Sequence, residues 1–189
     1  MRKPVEIEFK YPAESLEQFH DFCRKKDGLL RFTMASGFDH FYAGKHAPAA
    51  FCRHRQGPDM NQLTLKRKTT GENNYVRTEH NIELQPDMTE PQIRSLCTDL
   101  GYDYTGRLFK TCFIYKYKYY TLVYYLVYND EMKEQGRYFE IEMAEDADWR
   151  DDQEAYQELL VMEKICKPLG AAPEKRLKES LFEMFGKAK

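Results

Sequence analysis

Glu6, Glu8 and Lys10 stand two residues apart in the run Val5-Glu6-Ile7-Glu8-Phe9-Lys10. On a strand, side chains alternate between faces, so these three share one face while Val5, Ile7 and Phe9 share the other. The same parity recurs further along the chain. Arg77, Glu79, Asn81 and Glu83 fall together, and so do Glu140 and Glu142, opposite Phe139, Ile141 and Met143. Arg53 pairs with Arg55 in this way, and Lys66 with Lys68. Like charges on one strand face repel unless something binds between them. Paired carboxylates suit a hard divalent cation, which takes oxygen ligands. Paired arginines and lysines suit phosphate. A surface carrying both suits a metal-bound polyphosphate. For a single strand the plainer reading is a solvated sheet face. At least five strands with charged faces of matched parity argue for a shared cavity instead.

The elements that would position these residues follow from periodicity and punctuation. A short strand covers Val5 to Tyr11, and a helix is expected from about Ala13 to Asp27, with Leu16, Phe19 and Cys23 at helical spacing and Gly28 at its stop. Between residues 29 and 85 the chain breaks into strand-like runs, Gly37–Tyr42, Ala50–Arg55, Gln62–Lys68 and Tyr75–Leu84, separated by turn-forming clusters. Thr89 with Gln92 forms a capping-box pattern that opens a second helix, with Pro91 in its first turn and Gly101 after its end. Residues 107 to 143 read as two Tyr-rich strands followed by Arg137–Met143, and residues 151 to 186 as two helices divided by Pro168–Pro173. The layout is α+β, dominated by antiparallel sheet, in one domain over residues 1–189. If the charged faces point inward, the apolar faces point outward and the amphipathic helices cover them. This inverts the usual apolar-lumen barrel.

Composition restricts the classes of function. The 189 residues suffice for one real core, and a formal charge of −2 argues against a protein that coats nucleic acid or anionic lipid. No apolar run approaches a bilayer span, and Met1-Arg2-Lys3-Pro4 leads directly into a strand, so neither a signal peptide nor a membrane partner is expected. Five scattered cysteines without a Cys-x-x-Cys pair read as reduced thiols in the cytoplasm.

Taken in order, these motifs resemble the CYTH superfamily, the triphosphate tunnel metalloenzymes. Glu6-Ile7-Glu8-Phe9-Lys10 matches its Glu-x-Glu-x-Lys signature, and Arg53-His54-Arg55 its Arg-x-Arg strand. Leu63-Thr64-Leu65-Lys66 and Arg77-Thr78-Glu79 resemble its next two strands, Lys110 its late phosphate-binding lysine, and Asp130-Glu131-Met132 followed by Gly136 and Phe139-Glu140-Ile141-Glu142 its acidic turn and closing Glu-x-Glu strand. Lys178-Glu179-Ser180-Leu181-Phe182-Glu183-Met184 is similar to its terminal helix. The resemblance implies a closed eight-stranded antiparallel tunnel with helices packed outside, Mg2+ or Mn2+ as cofactor, and a homodimer as one assembly. It departs at two places: Cys112 stands where an arginine is usual, and Asn81 where a third Arg-x-Glu-x-Glu acid is usual. Lys116 and Lys118 are candidates to compensate for the first.

On this reading Lys10, Arg53, Arg55, Lys66, Arg77 and Lys110 hold phosphate, with Lys68 near the rim. Glu6, Glu8, Glu140 and Glu142 hold metal, with Glu79 and Asp130 as further ligands. Glu6, Glu8, Lys10, Lys66 and Glu140 form the catalytic set. His54 and His80 fall between lumen positions and are expected to pack under helices. The run Tyr115–Tyr120 reads as strand and hairpin rather than a nucleic-acid patch, and Trp149 as a hydrophobic plug. Three functions remain open: a metal-dependent hydrolase of inorganic, nucleoside or organic triphosphate (an RNA 5′-triphosphate end included), an adenylate cyclase releasing pyrophosphate, and a non-catalytic polyphosphate or nucleotide binder.

Overall fold

Eight strands of 8 to 15 residues are long enough to close on themselves. The structure, a computed structural model, describes residues 5–44, 50–68, 76–144 and 149–186. The strands are β1 (Val5–Pro12), β2 (Arg31–Gly44), β3 (Ala50–Gly57), β4 (Met60–Lys68), β5 (Val76–Glu83), β6 (Tyr102–Lys116), β7 (Tyr120–Tyr128) and β8 (Glu134–Met143). The helices are α1 (Leu16–Lys25), α2 (Glu90–Asp99), α3 (Asp152–Ile165) and α4 (Leu181–Phe185). The strands pair antiparallel in the order β1-β5-β4-β3-β2-β6-β7-β8, and β8 returns to β1 to close the barrel. Closure leaves no unpaired sheet edge.

Strand parity assigns the two faces. Phe9 and Tyr11 of β1, Leu122 and Tyr124 of β7, and Phe139 and Ile141 of β8 point outward and are buried with Phe19 and Cys23 of α1 and Ala155, Leu159 and Met162 of α3. A smaller outer core sets Ile93 and Cys97 of α2 on Tyr42, Cys52 and Leu63. Each helix starts at a residue whose side chain satisfies free backbone donors. Ser15 accepts from Gln18 N at 3.2 Å and Asp151 accepts from Glu154 N at 2.8 Å, while α2 opens with the expected capping box on Thr89 and Gln92.

The elements differ from the sequence reading at several boundaries, among them the starts of β6 at Tyr102 rather than 107 and of β8 at Glu134 rather than Arg137. The first helix begins at Leu16, not Ala13, because Ser15 caps it. β2 begins at Arg31, six residues before the expected Gly37, and its first half pairs with β6 from Arg31↔Lys116 to Gly37↔Lys110. The last expected helix is short: after α3 the chain makes two single 3-10 turns at Lys167–Leu169 and Pro173–Lys175, and α4 has only five residues. Pro168 and Pro173 break the helical ladder there. Tyr75 and part of the acidic stretch 145–152 lie outside the described residues.

A buried strut guides the C-terminal segment back across the barrel. Glu163 accepts from the Tyr11 hydroxyl at 2.6 Å and from Arg176 through two hydrogen bonds of 2.6 and 2.5 Å. Leu177 N then donates to Lys10 O at 2.8 Å. This bridging brings α4 to the end of the barrel, where Ser180, Leu181 and Phe182 line the cavity.

Candidate active site

The inward parity of the strands produces one charged cavity of about 220 Å³. Six acids, Glu6, Glu8, Asp39, Glu79, Glu140 and Glu142, and six bases, Lys10, Arg53, Arg55, Lys66, Arg77 and Lys110, line it. Most of these ionisable groups are paired with an opposite charge on an adjacent or next-adjacent strand, and such burial is unfavourable without a partner. Lys66 Nζ lies 2.7 Å from Glu6 Oε2 and 2.5 Å from Glu79 Oε2. Arg77 Nη1 donates to Glu8 Oε1 at 3.1 Å, and Lys10 Nζ lies 3.4 Å from Glu140 Oε1. Arg53 Nη2 is 3.7 Å from Glu79 Oε1 and donates to Thr64 Oγ1 at 3.2 Å. Its Nε is buried and has no hydrogen-bond partner among the described residues, a donor left for a ligand oxygen.

The pairing register crowds acids at one point. Glu8 is directly opposite Glu142, and Lys10 is opposite Glu140. Burial, then the charges of Glu140 and Glu6, push the Glu8 carboxyl up to about 7. Burial and the neighbouring Glu6, Glu8 and Glu140 hold Glu142 well above the usual carboxylate range. Glu6 and Glu140 go the other way. Burial alone would raise both, but Lys66 outweighs it at Glu6, and Lys10 with Lys110 outweighs it at Glu140. The lumen therefore holds two acids without enough positive charge beside them.

Of the residues expected at the site, Glu6, Glu8, Lys10, Arg53, Arg55, Lys66, Arg77, Glu79, Lys110, Glu140 and Glu142 all line this cavity. Arg55 arrives already matched, in a two-pronged pair with Asp39 at 2.7 and 2.9 Å. Asp130 does not join them. It sits on the β7–β8 turn, 61% exposed, 2.6 Å from Arg107, because the turn projects beyond the strands that carry the other acids. The Lys68 side chain lies outside the described part; its backbone pairs with Arg77. Lys116 and Lys118 are exposed near the β6–β7 turn and do not line the cavity, so neither stands in for the arginine that Cys112 replaces. Glu83 bonds to Gln62 at 2.5 Å on the exposed rim. His54 packs beneath α2, stacked on His40 with ring centroids 5.4 Å apart, as expected of an outward position; His80, also outward, is exposed.

Three contributors escaped the sequence reading. Asp39 is a lone acid between Phe38 and His40, and its inward parity is the signal that identifies it. Tyr125 of β7 is fully buried, donates to Glu140 Oε1 at 2.7 Å and lies beneath Lys110, whose Nζ is 3.8 Å from the ring centre. The third is α4. Its capping box, with Ser180 Oγ accepting from Glu183 N and Glu183 accepting from Ser180 N, aims Leu181 and Phe182 into the lumen. Phe182 stacks on Phe51 with centroids 4.7 Å apart and planes 8° apart, beside Phe41. α4 thus closes the end of the tunnel where Phe41 and Phe51 lie.

The donors suit a divalent cation of the Mg2+ or Mn2+ type: they are carboxylate oxygens, crowded at Glu8 and Glu142 beyond what the local bases neutralise. Among the described residues no three acids, histidines or cysteines converge on one point. Mg2+ commonly uses only one or two carboxylates, with water and substrate phosphates completing the shell.

A closed antiparallel tunnel, charged within and clad in helices without, defines the class of fold. Solved structures with that fold share it over nearly the whole chain. PH1012 protein from Pyrococcus horikoshii OT3 superposes with a TM-score of 0.73 at 20% identity, over 94% of this chain and 98% of that one. A candidate adenylate cyclase from Vibrio parahaemolyticus gives 0.69 at 15% identity, over 97% and 98%. HpAC1 from Hippeastrum, a candidate adenylyl cyclase with a dominant triphosphatase activity, gives 0.60 at 14% identity, over 97% of each chain. No protein-family model and no curated protein matches the sequence. The chain shares the fold of these proteins over nearly its whole length.

Proposed function

We propose that this chain is a metal-dependent hydrolase of a triphosphate-bearing substrate. The observation that carries the reading is the charge balance of the lumen, where six acids face six bases in one cavity. A polyanion alone finds no net positive charge there. A polyanion that arrives with a divalent cation would, because Glu8 and Glu142 would hold the cation and Lys10, Arg53, Lys66, Arg77 and Lys110 would remain for phosphate oxygens. When bound, such a metal neutralises charge on the transferring phosphoryl group.

The chain's own residues do the rest. Arg53 grips through its planar fork, and Lys66, held between Glu6 and Glu79, supplies a fixed point charge. Tyr125 fixes the orientation of Glu140. α4 closes one end and excludes water, which strengthens every charge contact inside. The remaining lumen acids, Glu6, Glu79 and Glu140, would orient water on the terminal phosphorus; positioning and electrostatics outweigh proton abstraction in this chemistry. The likeness to HpAC1 supports hydrolysis, and the likeness to the Vibrio protein keeps cyclisation as the second reading.

Product analysis separates the readings. Purified protein with ATP or inorganic triphosphate and Mg2+ or Mn2+ is expected to release orthophosphate. Cyclic AMP with pyrophosphate from ATP makes it a cyclase, and retained binding without either product makes it a binder.

A further inference from the structure

The outer surface of the barrel carries a pocket that the tunnel chemistry does not use. It measures about 320 Å³ and lies where the β6–β7 turn, the end of β8 and the middle of α3 meet. Tyr119, Tyr120, Met143, Trp149, Glu158 and Met162 line it. Strand parity puts it outside the lumen: Met143 follows the inward Glu142, and Tyr120 is paired directly opposite Met143. Glu158 and Met162 stand one helical turn apart on α3 and face the pocket together.

The rings are held in place. Tyr120 stacks on Tyr117, with centroids 4.7 Å apart and planes 22° apart. Trp149 packs half-buried on the outer core, and its Nε1 donates to Ala144 O at 3.2 Å, which fixes the indole. Tyr119 meets Trp149 with centroids 5.9 Å apart and planes at 54°, yet stays 47% exposed. Ala144 N donates to Tyr119 O at 3.0 Å and ties the turn to the end of β8. Trp149 is therefore a wall of a pocket as well as a plug.

The lining selects a class of ligand. Aromatic faces carry partial negative charge, and Glu158 is the one charged residue that lines the pocket among those described, so an anion is disfavoured. Met143 and Met162 add soft apolar surface. A metal ion or a bare ammonium would give up tightly held water for such a lining, whereas a bulky, weakly hydrated organic cation would not. The rings already draw cations: Lys118 Nζ is 4.7 Å from the Tyr119 centroid and Lys26 Nζ 5.8 Å from that of Tyr120, although neither lysine lines the pocket.

We propose that this pocket is an aromatic cage for a quaternary ammonium group, a second binding site that is independent of the tunnel and of its reading. The chain has a single tryptophan, so Trp149 fluorescence reports occupancy directly. The test is titration of the full chain with choline, followed by that fluorescence and by heat. Choline is expected to shift the emission with a Kd of about 1 mM or tighter. Its neutral carbon isostere, neopentyl carbinol, has the same shape without the charge and should bind at least about fivefold more weakly. Glu158→Gln and Tyr119→Ala should each weaken choline by about three- to tenfold. Both side chains are exposed, and thermal melting checks that each variant is folded. A trimethyllysine peptide that binds more than about tenfold more tightly than choline supports the cage and assigns its cation to a protein partner; equal affinities support the cage with a small free cation. The isostere matching choline, choline binding unchanged in both variants, or no emission change up to about 20 mM choline overturns the inference.

Discussion

β1, β3, β4, β5 and β8 face the lumen with Glu6, Glu8, Lys10, Arg53, Arg55, Lys66, Arg77, Glu79, Glu140 and Glu142. β2, β6 and β7 face it mainly with Phe41, Cys112, Ile114, Val123 and Tyr125, and α4 adds Leu181 and Phe182. Only Asp39 and Lys110 bring charge to the second wall, and each is tied back, Asp39 to Arg55 and Lys110 over Tyr125. The difference teaches what a polar lumen needs. Ions on the charged wall are matched by neighbours within that same wall, while the apolar wall excludes water and lowers the local dielectric, so those pairs act more strongly. On the proposed function the charged wall does the recognition, and the apolar wall sets its strength.

The sharpest way to break this division is to remove the ion at its centre. Lys66→Ala leaves Glu6 and Glu79 without their shared cation. Loss of one member of a buried pair costs about 3–5 kcal/mol, and loss of a preorganised electrostatic contact costs about 10²–10³ in kcat. Orthophosphate release and thermal melting measure the two. A wild-type rate in folded Lys66→Ala protein contradicts the assignment.

Glu8→Gln sharpens the comparison through pH. With the Glu8 carboxyl at about 7, the folded state keeps a proton that the unfolded state has already released. The stabilisation is therefore present at low pH and fades as pH rises toward 7. His40, outside the barrel, works the opposite way: burial lowers it to about 4, so the unfolded state takes up the proton first and stability rises with pH. Removing Glu8 should make Tm rise more steeply between pH 5 and 7 than in the wild type. Mg2+ should raise the wild-type Tm most near pH 7, where it displaces that proton. An unchanged slope in Glu8→Gln would show that Glu8 titrates normally.

Much of this was legible because a strand exposes its parity directly. Matched charges at i and i+2 identified the inward faces of β1, β3, β4, β5 and β8, and the Thr89–Gln92 box located α2 within a residue. The apolar wall was harder to read. Val123 and Tyr125 sit in a β7 that is apolar on both faces, so alternation carries no signal there. The first half of β2 was hidden for a related reason: Phe32 and Met34 point outward yet remain exposed, and their inward partners Thr33 and Ala35 are small. Asp130 had an acid's chemistry but not a strand position. α4 depends on the Glu163–Arg176 strut and the return of Leu177 to β1, long-range contacts that no local pattern encodes.

Smaller effects are expected on the apolar side. Phe182→Ala removes a stacked but only half-buried ring, so a loss of about 1–2 kcal/mol in stability is expected, below the full cost of truncating a core aromatic. Denaturant melts measure it, and a larger rise in KM than fall in kcat would accompany a loosened plug. Tyr125→Phe removes one hydrogen bond to a carboxylate, and Mn2+ affinity by titration should fall by about three- to tenfold without loss of fold. Asp130→Asn gives the smallest change. Its partner is an exposed arginine, so stability should move by less than about 1 kcal/mol and turnover by less than about twofold. A large loss of activity there would return Asp130 to the metal site.

The account is tested most directly by titrating inorganic triphosphate into the protein with and without Mg2+ and following heat and proton release together. Tight binding only when the metal is present, with protons released near pH 7 and both signals lost in Lys66→Ala, is the predicted result. Equal binding without metal, or binding that survives in Lys66→Ala, would contradict a lumen whose acids and bases are divided between cation and phosphate.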